Sequence, residues 1–125
     1  MILDTNALSA FADGDESLRE RLREAERLVL PAVVLGEFRY GIARSRHRAA
    51  YERWLKDLLR GIEVLDVTDK TASVYAELRV ELKRLGRPVP ANDAWIAALG
   101  LQHRLPILTR DRHFDAVSDL ARMSW

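Results

Sequence analysis

The sequence predicts an α/β fold in which a parallel sheet is covered by helices on both faces. Two observations lead to this class: short apolar runs recur along the chain, and stretches with helical periodicity separate them. Short strands that are apolar throughout are typical of a parallel sheet, because helices cover both of its faces. No repeat, low-complexity tract or Ser/Gly linker divides the 125 residues, so residues 1–125 are predicted to form one domain.

The first half of the chain is predicted to alternate strands with helices, starting from an apolar strand at residues 1–3. Thr5 is the expected cap of a helix that stops at Asp13 and Gly14. Pro31 stands where a helix can begin, since its missing N–H is not needed in a first turn. The other predicted helices of this half are 16–25, 32–45 and 48–59, and the other predicted strands are 28–30 and 62–67.

The second half is predicted to begin with the longest helix, which Gly86 ends. Asn92 or a neighbouring residue is the expected cap of the next helix, whose apolar run from Trp95 to Leu99 indicates that it is largely buried. The predicted elements are helices at 69–85 and 93–103, strands at 106–108 and 120–124, and a turn at 109–114; the last strand is expected at an edge of the sheet.

Composition excludes several classes of site. Because the chain has no cysteine, it has no disulfide, no thiolate metal site and no cysteine nucleophile. No basic leader precedes an apolar core, and no apolar run approaches the roughly 20 residues needed to cross a bilayer. We therefore expect a cytoplasmic protein that does not contact membranes.

One basic stretch stands out although the formal net charge is only +1. Residues 39–48 contain four arginines and no acid. Because a guanidinium group can bind two phosphate oxygens, Arg39, Tyr40, Arg44 and Arg46 are candidates for contacts with a nucleic-acid backbone. A solvated helix face is the alternative explanation of the same pattern.

Four carboxylates differ from the surface acids because they stand beside apolar segments or at the ends of predicted strands and helices: Asp4, Glu37, Asp93 and Asp111. Purely structural roles are open to three of them, since Asp4 can cap a helix, Asp93 can favour a helix N-terminus and Asp111 can start a turn. Glu37 lies within an otherwise apolar helix, where an unpaired charge is costly to bury.

The four acids together indicate a metal site. If the strands that end at Leu3 and Leu108 are neighbours, Asp4 and Asp111 leave the sheet at the same edge, where open parallel sheets bind their ligands. Clustered carboxylates repel one another and raise each other's pKa unless a cation neutralises them. An all-oxygen ligand set suits a hard ion, so Mg²⁺ or Mn²⁺ is expected.

Four motifs in order resemble a known family. They are LDTN at 3–6, VVLGEFRYG at 33–41, PANDAWIAALG at 90–100 and LTRDRHF at 108–114. With these motifs the chain resembles a PIN-domain ribonuclease, specifically the toxin of a VapBC-type toxin-antitoxin pair. The resemblance covers essentially the whole chain and implies a three-layer α/β/α fold with a central, mostly parallel sheet.

The resemblance also implies roles for individual residues. Asp4 and Asp93 are the expected principal metal ligands, and Glu37 and Asp111 complete the site directly or through water. Asn6 and Thr109 look like the polar residues that orient these acids. For His113, as for the other two histidines, a surface or structural position is expected, and whether His113 touches substrate is left open.

The implied activity is metal-dependent hydrolysis of RNA, which leaves 5′-phosphate and 3′-hydroxyl ends. The implied partners are RNA, a small cognate antitoxin that silences the enzyme, and a second copy of the chain in a homodimer that can join a larger toxin-antitoxin assembly.

Two other classes of function are open at this stage. A PIN-like scaffold that binds RNA or protein without cutting is one, although such a scaffold has no need of four mutually repelling acids. A haloacid-dehalogenase-type phosphatase or a receiver domain also uses an Asp after the first strand. The phosphatase requires a second acid where this chain has Asn6, and both require a lysine near the last strands, whereas no lysine follows Lys83.

Overall fold

Five short strands form one sheet in a computed structural model that describes all 125 residues. The strands are β1 (Ile2–Leu3), β2 (Val29–Pro31), β3 (Glu63–Leu65), β4 (Ile107–Leu108) and β5 (Arg122–Met123). Their order across the sheet is β3-β2-β1-β4-β5, and every pairing is parallel. The predicted parallel sheet is therefore confirmed, with the last strand at an edge.

Six α-helices surround the sheet: α1 (Thr5–Ala12), α2 (Glu16–Arg23), α3 (Ala32–Ala43), α4 (Arg48–Leu58), α5 (Asp69–Arg84) and α6 (Ala91–His103). A 3₁₀ helix, Arg112–Ala116, follows β4. The α/β class and the order of elements agree with the sequence analysis. None of the helices combines the length and apolar character that a membrane span requires.

Two predicted helix caps are wrong. The cap of α1 is Asp4, not Thr5, because the chain passes from β1 into the helix with one residue between them. Asn92 does not cap α6, because the helix already begins at Ala91 and Pro90 occupies the cap position without a side-chain hydrogen bond. Both corrections place a polar side chain in a site described below.

The core lies on both sides of the sheet and contains 24 clustered apolar residues. The side chains of β1 and β4 are fully buried, and so is the Ile96–Leu99 segment of α6. Gly100 follows that segment, and a Cβ atom added there would lie 2.6 Å from Leu120 Cδ1 and 3.2 Å from the Leu105 carbonyl oxygen. Close packing of α6 on the β4 side of the sheet therefore requires glycine at this position.

The register of the two central strands determines where the functional residues lie. Ile2 pairs with Ile107 and Leu3 with Leu108, so the next residues, Asp4 and Thr109, leave the sheet side by side. The strand order reverses between β1 and β4. Ligands of open α/β sheets bind in the crevice outside the carboxyl ends of the strands at such a reversal.

Candidate active site

Asp4 lies at the bottom of this crevice and is 4% exposed. Its Oδ1 accepts the Thr5 backbone N–H at 2.8 Å, and its Oδ2 accepts the Thr109 hydroxyl at 2.7 Å. Burial raises the pKa of Asp4, and the charges of Asp111 and Glu37 raise it further against the opposing effect of the two hydrogen bonds. Asp4 is thus both the cap of α1 and a member of an acidic cluster.

Thr109 connects Asp4 with the segment that carries Asp111. Its side chain is fully buried, and its Oγ1 accepts the Asn6 amide and the Asp111 backbone N–H, each at 3.0 Å, while donating to Asp4. Asn6 in turn accepts the Arg110 backbone N–H at 3.2 Å. These contacts connect the Asp4 carboxylate with the turn after β4, and a role of Asn6 and Thr109 in orienting the acids stays a prediction.

Asp93 and Asp111 come together in the same crevice. Asp93 lies in the first turn of α6, and Asp111 caps the 3₁₀ helix by accepting the His113 backbone N–H at 2.8 Å. Burial raises the pKa of Asp93; the charges of Asp111 and Asp4 also raise it, while His113 opposes the shift. The start of α6 and the turn after β4 therefore present two carboxylates to one point.

His113 lies beside two of these acids, whereas the sequence analysis expected a surface or structural position for it and left a contact with substrate open. Its Nδ1 lies 3.1 Å from Asp93 Oδ2 and 3.1 Å from Asp111 Oδ1. The hydrogen bond to Asp93 and the charge of Asp111 raise the pKa of His113 above its ordinary value. The spacing Asp-x-His at a turn was the available signal, because an aspartate in a turn often accepts the backbone N–H two residues later and so holds that residue close, as Asp111 does with His113.

Glu37 extends from α3 and is half-buried. Its carboxylate accepts the Thr5 hydroxyl at 2.5 Å and the Asn92 side-chain amide. The cost of placing its charge in an apolar helix is thus offset by two donors from α1 and α6. Asn92, predicted only as a cap, belongs to the site because it joins Glu37 to the start of the helix that carries Asp93.

The donor set fits a divalent cation. Carboxylates from four separate segments face one crevice, and burial together with the charges of neighbouring acids raises the pKa of Asp4 and of Asp93. Asp93, Asp111 and His113 each offer one ligand atom, and these atoms lie within 4.8 Å of one another. A bound cation would relieve the repulsion and satisfy hard oxygen donors. The individual ligand roles remain predictions.

Comparison with known proteins places this geometry in a family. Residues 1–120 match the family described as the PIN domain. The chain belongs to the PIN domain family. It is 34% identical to "Ribonuclease VapC5" of Mycobacterium tuberculosis, over 96% of this chain and 89% of that protein.

Two further matches cover nearly the full length of this PIN domain. It is 30% identical to the "tRNA(fMet)-specific endonuclease VapC" of Shigella flexneri, over 99% of this chain and 96% of that protein. It also resembles the crystal structure of DNA-bound VapBC from Salmonella typhimurium, with a TM-score of 0.88, 27% identity, and coverage of 99% of this chain and 96% of that one.

The basic segment of the PIN domain divides between two faces of α3. Each residue of an α-helix turns the chain by about 100°, so Arg44, seven residues after Glu37, points within about 20° of it around the helix axis. Arg39, two residues after Glu37, points about 200° away. Arg39 instead borders a groove with Glu52 and Lys56. Tyr40 is 67% exposed, with the Arg44 guanidinium 5.4 Å from its ring centroid.

A cavity of about 280 Å³ separates the acids from helix α4. Thr5 and Glu37 line it on the acidic side, and Ser45 and Tyr51 line it beyond. Arg46 is exposed just past Ser45. A polar path therefore leads from Glu37 towards the basic residues at the end of α3.

Proposed function

We propose that this PIN domain is an endoribonuclease that hydrolyses RNA phosphodiester bonds with a divalent cation, and that it is the toxin of a toxin-antitoxin pair. The observation that carries the proposal is the convergence of Asp4, Glu37, Asp93 and Asp111 on one crevice from four segments of the chain. Relatives at 30% and 34% identity are named an endonuclease and a ribonuclease. In this proposal, residues 1–125 form a single domain.

Each part of the site has a role in the reaction. Asp4 and Asp93 would hold the cation, Mg²⁺ or Mn²⁺, and Glu37 and Asp111 would complete its environment directly or through water. When bound, such an ion lowers the pKa of a coordinated water and offsets charge on the phosphoryl oxygens. Thr109 and Asn6 keep the Asp4 carboxylate in position, because their hydrogen bonds leave it no free rotation.

The RNA backbone approaches along the basic end of α3. Arg44 and Tyr40 lie on the Glu37 side of that helix, and Arg46 continues the positive surface beyond it. Phosphate contacts from these arginines and stacking on Tyr40 are suited to single-stranded RNA. Arg39 contributes at most through its long-range charge, since it faces away from the acids.

An antitoxin protein covers the acidic crevice and silences the enzyme in the cytoplasm. The solved structures that resemble this chain include a DNA-bound VapBC at 27% identity and FitAB bound to a DNA fragment at 28% identity. We extend the toxin-antitoxin arrangement to this chain, with a homodimer of the toxin as its building unit and a higher assembly with the antitoxin.

Cleavage of a labelled RNA pool by the purified, antitoxin-free protein tests the proposal. We expect cutting with Mg²⁺ or Mn²⁺ and none with chelator. The products should carry 3′-hydroxyl ends, which a poly(A) polymerase extends, and 5′-phosphates, which an RNA ligase joins. Binding of RNA without cleavage of any pool tested, including total transfer RNA, would favour a silent PIN-like binding module instead.

A further inference from the structure

The imidazole of His113 occupies a position between two of the carboxylates. Its Nδ1 is 3.1 Å from Asp93 Oδ2 and 3.1 Å from Asp111 Oδ1. The chain has three histidines, and the other two lie away from the acids, His47 at the start of α4 and His103 in the last turn of α6. His113 is thus the one nitrogen donor of the crevice.

Two of the three separations between these atoms match the spacing of neighbouring ligands in a metal coordination shell. In an octahedral site with ligands at about 2.1 Å, neighbouring donor atoms are about 3 Å apart. The separations of Nδ1 from the two oxygens agree with that edge length, and all three ligand atoms fall within 4.8 Å of one another. A cation can therefore bind all three groups with small side-chain movements.

The backbone around His113 is anchored. Its N–H donates to Asp111 Oδ1 at 2.8 Å, and the next residue, Phe114, is fully buried in the core. The side chain itself is 54% exposed and packs against no apolar cluster that would explain its position. The turn after β4 therefore presents the imidazole to the acids rather than to solvent alone.

We infer that His113 supplies Nδ1 as a ligand to the divalent cation of the acidic crevice and makes the site prefer Mn²⁺ over Mg²⁺. Imidazole is a ligand of transition metals, whereas Mg²⁺ retains oxygen ligands and several waters. The inference rests on the proposed metal dependence, and it adds a fifth group to the four acids. The LTRDRHF motif would then supply a nitrogen ligand at position 113, which a carboxylate there could not do.

A different role for the same geometry makes the opposite prediction. A protonated imidazole could act as a substitute for the cation, held by Asp93 and Asp111 only until the metal displaces it. Removing His113 would then remove a competitor, and the affinity for Mn²⁺ would rise. As a ligand, His113 contributes to affinity, and its removal weakens Mn²⁺ binding.

Pulsed electron paramagnetic resonance of Mn²⁺ bound to the purified protein tests the inference directly. We expect a ¹⁴N coupling from a coordinated imidazole in the wild type, its loss in His113→Gln, and its retention in the matched controls His47→Gln and His103→Gln. Calorimetric titrations should show that His113→Gln weakens Mn²⁺ binding about tenfold or more and Mg²⁺ binding less, so that the preference for Mn²⁺ shrinks.

The outcomes separate this inference from the proposed function. Mn²⁺ that binds the wild type without a ¹⁴N coupling, or binds His113→Gln as tightly as the wild type, would overturn the ligand role and leave an all-oxygen nuclease site intact. Failure of the wild type to bind either ion at millimolar concentration would overturn the metal dependence as well. Because His113 is largely exposed, circular dichroism should show an unchanged fold in the variant.

Discussion

Replacing Thr109 by valine removes one buried hydroxyl that holds the site together. The hydroxyl donates to Asp4 and accepts from Asn6 and from the Asp111 backbone N–H at 2.7 to 3.0 Å. Leaving a buried donor or acceptor unsatisfied costs about 1–3 kcal/mol. Asp4 bears most of this cost, because its Oδ2 keeps only the longer contact with the Asn6 amide at 3.3 Å, whereas exposed Asn6 and half-buried Asp111 can donate to water instead. We expect Thr109→Val to lose about 2–3 kcal/mol of unfolding free energy.

The same change should weaken cation binding. The Thr109 hydrogen bond lowers the pKa of Asp4 against the effect of burial, so its loss raises that pKa further and stabilises the protonated form, which cannot bind a metal. Loss of a group that orients a ligand typically reduces metal affinity about 10- to 100-fold.

Urea denaturation and Mn²⁺ calorimetry measure both effects. Thr109→Ser is the matched control, because it keeps the hydroxyl and removes only a buried methyl group, at about 1 kcal/mol. If valine and serine variants have equal stability and both bind Mn²⁺ like the wild type, the hydrogen-bond network does not organise Asp4 and the reasoning is wrong.

The remaining predictions concern charge, packing and ligand binding. Asp93 has a raised pKa in the folded state, so its contribution to the stability of the metal-free protein should be lost as pH rises from about 3.8 through that raised value. Asp4, whose pKa is also raised, keeps a loss of the same sign, so a pH series of melting curves should show a smaller loss in Asp93→Asn than in the wild type. Gly100→Ala should cost about 1–3 kcal/mol by overpacking, whereas Gly36→Ala, which has open space in helix α3, should be neutral or stabilising by up to about 1 kcal/mol; urea titrations distinguish them. Arg44→Glu should weaken RNA binding and flatten its salt dependence, while Arg39→Glu on the opposite face should do so much less, in filter-binding assays across a salt series. A cation at 100 times its Kd should stabilise the fold by about 2.7 kcal/mol, and an unchanged melting temperature would count against a formed site.

The sheet could be predicted from sequence, and the four acids could be named as candidates, because their signals are local. The apolar runs at 2–3 and 107–108 are fully buried, and an aspartate that directly follows such a run stands at a strand end. Strand 62–67 was predicted too long, since only Leu65 of β3 is buried and Val64 and Val67 are exposed. At this edge of the sheet, apolar residues continue past the three residues of β3 that pair with β2. The sequence pattern is therefore longer than the strand.

The parts of the site that escaped prediction depend on contacts between distant segments. Asn92 faces Glu37 from 55 positions along the chain, and His113 faces Asp93 from 20. The periodicity of the sequence cannot predict such a contact, because the contact depends on how α3, α6 and the turn after β4 pack around the crevice. Polar residues at helix starts and in turns are common for purely structural reasons. For Asn92 and His113, that explanation left their contacts with the acids unpredicted.

The cleavage of labelled RNA by wild type and by Asp93→Asn, prepared identically and free of antitoxin, tests the central claim most directly. The account predicts cleavage by the wild type that requires Mg²⁺ or Mn²⁺, and no cleavage by a folded Asp93→Asn under any condition. Metal-dependent cleavage that persists in the variant would contradict the account, because it would locate the nuclease centre outside the acidic crevice.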